Sequence, residues 1–169
     1  MSTDPSESDF AESLQEYLTR VGRANSEAAL GHHFLTFVQE TFSTLNCDRA
    51  HRMLPFLEEF VQIEEATVAF QGRIDARLGN VIIEFKTDLN RYLDDAEDQL
   101  RDYITAIWNE QGCDQKYYLV ASDGTNCIIY LAELPEGSDL DPDNVVLNEV
   151  DEIDLTDDDP ATVFTKLDQ

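Results

Sequence analysis

The segment GRIDARLGNVIIEFK, residues 72–86, constrains this chain more than any other, because its turn fixes its register. Gly79-Asn80 is a favoured two-residue hairpin loop, with glycine first as a type II′ turn requires. With those residues as the loop, Leu78 faces Val81, Asp75 faces Glu84 and Arg73 faces Lys86. Side chains alternate between the two faces of a strand. Ile74, Ala76, Leu78, Val81, Ile83 and Phe85 therefore share a wholly apolar face, the core side. The other face carries Arg73, Asp75, Arg77, Ile82, Glu84 and Lys86.

That second face is poorly arranged for stability. Directly opposed side chains have Cβ atoms about 5 Å apart, and like charges there repel. This register sets acid against acid and base against base. One reading is a solvated hairpin whose diagonal pairs, Asp75 with Lys86 and Arg73 with Glu84, offset the repulsion. The other places a divalent cation between the two carboxylates. Mg²⁺ (or Mn²⁺) takes oxygen ligands at about 2.1 Å and needs only one or two carboxylates beside water and phosphate. Lys86, two residues beyond Glu84 on the same face, reaches whatever the cation binds. Metal, carboxylates and a lysine together are what phosphodiester hydrolysis requires.

Periodicity supplies the rest of the architecture. Phe10, Leu14, Leu18 and Val21 recur at helical spacing over residues 9–22. A second helix starts near Asn25-Ser26 and runs through Leu30, Phe34, Phe37, Val38 and Thr41. A short helical connection broken at Pro55 and a strand over 61–70 precede the hairpin. A helix over 94–112 has acids in its first turn, a stripe through Ala96, Leu100, Ile104 and Ile107, and Gly112 as a stop. Residues 116–134 read as two strands joined at Asp123-Gly124. This order predicts an α/β fold, an α+β-type mixed sheet flanked by helices.

Charge divides the chain. Its 36 acids against 11 Lys and Arg give a net charge of −25 over 169 residues. Such a surface repels nucleic acid in dilute salt, but at molar salt the Debye length is about 3 Å and exposed charges hardly interact. Acids spread over nearly every segment predict a halophilic protein; an acidic interaction protein, such as one mimicking the charge of DNA, is the alternative. Residues 131–169 alone hold 13 acids and one lysine. The expected organisation is a domain over 1–132 with its core at 25–130. An acidic linker or tail over 133–169 follows, with a helix starting at Asp159-Pro160 and leading towards a further domain.

Cys47, Cys113 and Cys127 show no CxxC spacing, which predicts buried thiols in a reducing compartment. No signal-peptide pattern opens the sequence and no apolar run approaches a membrane span, so a cytoplasmic protein is expected. His32-His33 sit in an apolar helical pattern, and His51 near Cys47 has no other soft ligand close in sequence. Trp108 and Tyr117-Tyr118 suit core packing or base stacking.

Asp75 followed by Glu84-Phe85-Lys86 resembles the PD-(D/E)XK nuclease signature, although Ile74 stands where that family has proline. Gln99 and Tyr103, at i and i+4, are similar to the Q-x-x-x-Y element of type I restriction motor subunits and RecB-like nucleases. Glu27 matches the helix acid that joins the family's metal site. The resemblance implies a restriction-endonuclease-like core, with Asp75, Glu84 and Glu27 holding Mg²⁺ or Mn²⁺. It implies Lys86 as the catalytic cation beside Asp75 and Glu84, and Gln99 and Tyr103 as residues positioning DNA. Motor or methyltransferase domains are the implied partners. A non-catalytic DNA- or protein-binding module on the same fold is the alternative.

Overall fold

The computed structural model describes residues 7–44, 76–78 and 80–167. Helix α1 spans Glu7–Val21 and α2 spans Glu27–Thr44. Their buried positions, Phe10, Leu14, Tyr17 and Val21 against Leu30, Phe34, Phe37 and Val38, repeat every three or four residues and bring the helices together. Tyr17 stacks on Phe37 at 4.7 Å between ring centroids. The Ala29 N–H donates to Ser26 Oγ at 3.2 Å, so Ser26 caps α2 as its sequence predicts.

Strands β1 (Ala76–Leu78) and β2 (Val81–Phe85) pair antiparallel with Leu78 opposite Val81, Arg77 opposite Ile82 and Ala76 opposite Ile83. That is the register which the two-residue loop dictates. Helix α3 spans Leu89–Gln111. It begins five residues before the expected Asp94, with non-helical dihedrals at Tyr92 (φ −122°, ψ 23°) separating the early turn from the periodic part. Gly112 ends it at φ 84°, its N–H donating to the Trp108 carbonyl.

Strands β3 (Tyr118–Ser122), β4 (Asn126–Glu133) and β5 (Val146–Asp154) complete a five-stranded sheet in the order β1-β2-β3-β4-β5. Among the described residues only β2 and β3 run parallel, and a parallel pair needs a long crossover, which α3 supplies. A 3-10 turn at Pro142–Asn144 leads into β5, and helix α4 (Pro160–Leu167) follows it.

Helices α1, α2 and α4 cover one face, on Ile83, Phe85, Val120, Cys127 and Ile153. The other face, with Ile82, Leu119, Ala121 and Tyr130, lies under Ala96, Leu100, Ile104 and Trp108 of α3. The mixed sheet flanked by helices is therefore present.

The acidic tail expected from residue 133 onward is instead part of this body. β5 pairs with β4 along its length, and Ile153, Leu155 and Val163 are fully buried in the α1–α2 core. No domain boundary falls at residue 132 or 133 among the described residues. The charge conceals a strand because, among the described residues, β5 is an edge strand, and charged side chains on an edge discourage pairing with other chains. A bulge at Val150, between the Glu149–Tyr130 and Asp151–Ile129 pairs, further irregularises it. The helix start read at Asp159-Pro160 is where α4 begins.

Gly124, in the β3–β4 turn, has φ +87°, and a Cβ there would lie 2.8 Å from Val21 Cγ1 and 3.0 Å from Leu30 Cδ2. Its carbonyl accepts from the Tyr17 hydroxyl at 2.7 Å. Only glycine lets the α1–α2 corner close on this end of the sheet. Among the described residues, no helix is long and apolar enough to cross a membrane. The expected connection over 48–60, the strand over 61–70, Cys47 and His51 lie outside the described residues.

Candidate functional site

The carboxyl end of β2 carries the chemistry. The Lys86 N–H donates to the Ser122 carbonyl at 2.9 Å, extending the β2–β3 ladder by one residue and fixing the backbone where the strand ends. Glu84 alternates with Ile83 and Phe85, so its side chain faces α3. Glu84 and Lys86 of the polar strip thus lie beneath a helix, 2% and 7% exposed. Alternation tells which residues share a face, but covering that face is a tertiary fact.

Lys86 Nζ donates to Glu84 Oε1 at 2.7 Å and also to Gln99 Oε1 of α3. Glu84, Lys86 and Gln99 therefore form one cluster between strand and helix. Tyr103, one turn beyond Gln99, is buried on the same side of α3. The Gln99 carbonyl oxygen faces the lysine ammonium. Nothing in the sequence signals that contact, since it depends on how α3 is rotated over β2.

Glu27 stands in the first turn of α2, which covers the opposite face from Glu84. It lies at the same end of the sheet, because Leu30, one turn later, abuts Gly124 beyond the end of β3. Asp75 lies outside the described residues. Among the described residues, no group of three His, Cys, Asp or Glu is placed to hold a metal. The Glu84 carboxylate is nonetheless a hard oxygen donor, and a hard divalent cation needs only one or two carboxylates beside water and phosphate. It fits such a cation in chemistry.

The acids of α3 point elsewhere. Asp94, Asp95 and Asp98 are exposed, while Glu97 accepts from the Tyr130 hydroxyl at 2.9 Å and pairs with Arg101 at 3.1 Å. Burial, and then Glu97, pushes the Tyr130 hydroxyl well above the ordinary tyrosine range. This trio ties α3 to β4.

Other candidates resolve into packing. His32 is exposed and His33 half-buried, their rings 5.7 Å apart on α2. Trp108 is buried and donates to the Gln115 carbonyl at 3.3 Å, and the buried Tyr117 donates to Gln111 at 3.0 Å. Tyr118 is exposed. Burial pushes the Cys127 thiol up to about 11, which leaves it a structural group. Cys113, expected to be buried, is exposed just past the end of α3.

No protein-family model, curated protein or solved structure matches this chain.

Proposed function

We propose that this chain is a metal-dependent DNA nuclease domain with a restriction-endonuclease-like core, serving a restriction or other DNA-processing system. The observation that carries the reading is the buried Glu84–Lys86 pair held against Gln99 at the end of β2. Taking two charges out of water costs about as much as their attraction returns, so a buried ion pair is weak as a stabilising device. Its position has a use, however. In open α/β sheets, ligands bind outside the carboxyl ends of strands, and this cluster stands there on the parallel β2–β3 pair.

In this reading Glu84 and Asp75 hold Mg²⁺ or Mn²⁺, with Glu27 as a third acid from the same end of the sheet. A bound divalent cation supplies Lewis-acid polarisation of the phosphate and a more acidic water. Lys86 sets an ammonium beside the phosphate to offset charge growing on its oxygens. Gln99 keeps that ammonium aimed, and Tyr103 anchors the helix that carries Gln99. Motor or methyltransferase domains are the partners this role calls for. With a net charge of −25, DNA is approached only where salt screens the surface.

The near-complete burial of Glu84 and Lys86 favours a second reading, a nuclease-type fold kept as a non-catalytic binding module. Cleavage of plasmid and linear DNA in about molar KCl, with and without Mg²⁺ or Mn²⁺, decides between them. Metal-dependent cutting is expected from the wild type, with a loss of about 100-fold or more in Glu84→Gln, Lys86→Met and Asp75→Ala. Equal cutting by wild type and variants would remove the nuclease assignment. No cutting by any of them would favour the binding module.

A further inference from the structure

Two acceptors of different kind share the Lys86 ammonium: the charged Oε1 of Glu84, at 2.7 Å, and the neutral Oε1 of Gln99. Glu84 is almost wholly enclosed, and a carboxylate in such a place is very unfavourable without a cation against it. The ammonium supplies such a cation in this arrangement, and a divalent ion can do the same for the same oxygen. Resting on the metal-site reading above, we propose that Lys86 is a displaceable occupant of the cation position on Glu84. Gln99 is the acceptor that retains the ammonium when a hard divalent cation takes the carboxylate.

The geometry explains why a neutral acceptor suits that place. An aspartate or glutamate at position 99 would compete with Glu84 for the ammonium and for the metal. An apolar side chain there would leave the displaced ammonium with no partner under α3. A glutamine carbonyl accepts the lysine without adding charge, so the exchange leaves Lys86 beside the site rather than sending it into solvent. Metal entry and lysine placement thereby become a single event.

The exchange gives opposite signs for two neighbouring substitutions. Removing the competitor in Lys86→Met tightens divalent binding, while removing the retaining acceptor in Gln99→Leu weakens it. Glu84→Gln abolishes it. The test is Mn²⁺ binding by calorimetry and by electron paramagnetic resonance in about molar KCl, with thermal melts at increasing Mn²⁺ as a second readout. Expected are about tenfold tighter binding in Lys86→Met, with the largest Mn²⁺-induced rise in Tm, and about threefold to tenfold weaker binding in Gln99→Leu.

Equal or weaker binding in Lys86→Met, or unchanged binding in Gln99→Leu, would overturn the exchange. If Lys86→Met is unfolded without metal, recovery of its fold by Mn²⁺ supports the proposal and failure to recover it counts against it. DNA cleavage on the same samples separates the two claims. Metal-dependent cutting without the opposed signs leaves the nuclease and removes the exchange; the opposed signs without cutting do the reverse. Undiminished Mn²⁺ binding in Glu84→Gln removes this cation site, and the exchange with it.

Discussion

The two faces of the sheet are closed by different chemistry. On the α1–α2–α4 face the contacts are largely rings and aliphatic chains: Phe34 lies 5.7 Å from Phe85 and Phe10 lies 5.1 Å from Phe164 between centroids. On the α3 face Glu84, Lys86 and Tyr103 are buried beside Ile82, Leu100 and Ile104. The first face shows that this chain can cover a sheet almost entirely with hydrocarbon. Burying charge on the second is therefore no requirement of the architecture, and the place where charge is buried is the place to look for function.

Substitutions that ask each face for its contribution to stability test the comparison most severely. Phe85 is fully buried, and Phe85→Ala removes its contacts with Phe34 and opens a cavity against α2. The expected loss is about 3–5 kcal/mol. On the other face the paired replacement Glu84→Leu/Lys86→Met exchanges an ion pair for apolar groups of similar volume. Its expected effect is within about 1 kcal/mol of the wild type, or a gain. Urea unfolding in molar KCl reads both. Should the double variant lose as much as Phe85→Ala, the two faces would be energetically alike and the ion pair would be structural.

Gly124 sharpens the picture of the apolar face. Its φ of +87° disfavours any side chain, and an added Cβ would press on Val21 and Leu30. Gly124→Ala is expected to destabilise by about 1–3 kcal/mol, measured by the same unfolding curves. A shift under about 0.5 kcal/mol, typical of unconstrained surface sites, would mean that the α1–α2 corner packs loosely on the turn.

Much of this contrast is legible in the sequence, and what is missing has a physical cause. The Gly79-Asn80 loop sets the β1–β2 register, so the sequence alone puts Glu84 and Lys86 on one face. Ser26, Gly112 and Asp159-Pro160 mark helix ends through backbone chemistry that is local. Whether α3 covers Glu84 and Lys86 is not local, because it depends on where the crossover helix lies after a parallel return. β5 is hidden for another reason: its Glu149, Asp151, Glu152 and Asp154 read as tail, and only Ile153, with Leu155 just beyond, shows deep burial. Gln99 is found by its spacing from Tyr103, yet its acceptor role towards Lys86 rests on packing alone.

The smallest effect concerns the turn that holds the ends of β3 and β4. Asp123 Oδ1 accepts from the Thr125 N–H at 3.0 Å, the Thr125 hydroxyl at 2.8 Å and the Asn126 N–H at 2.8 Å. Partial burial acts to raise the pKa of this carboxyl, but these bonds outweigh it and hold the pKa below the usual aspartate value. A group depressed in the folded state contributes stability above its unfolded pKa, about 3.9, and loses it as the pH falls through the folded value. In molar KCl, where repulsion among the acids is screened, wild-type stability should decline below about pH 4. Asp123→Asn should decline less steeply there, because its side chain has no proton to gain. The decline should persist in part, since Asp154 is held low as well, chiefly by the Thr156 hydroxyl. Identical pH profiles for wild type and Asp123→Asn, measured by urea unfolding from pH 7 to pH 3, would show that the turn bonds do not distinguish folded from unfolded carboxylate. The acid sensitivity would then lie wholly in other carboxylates such as Asp154.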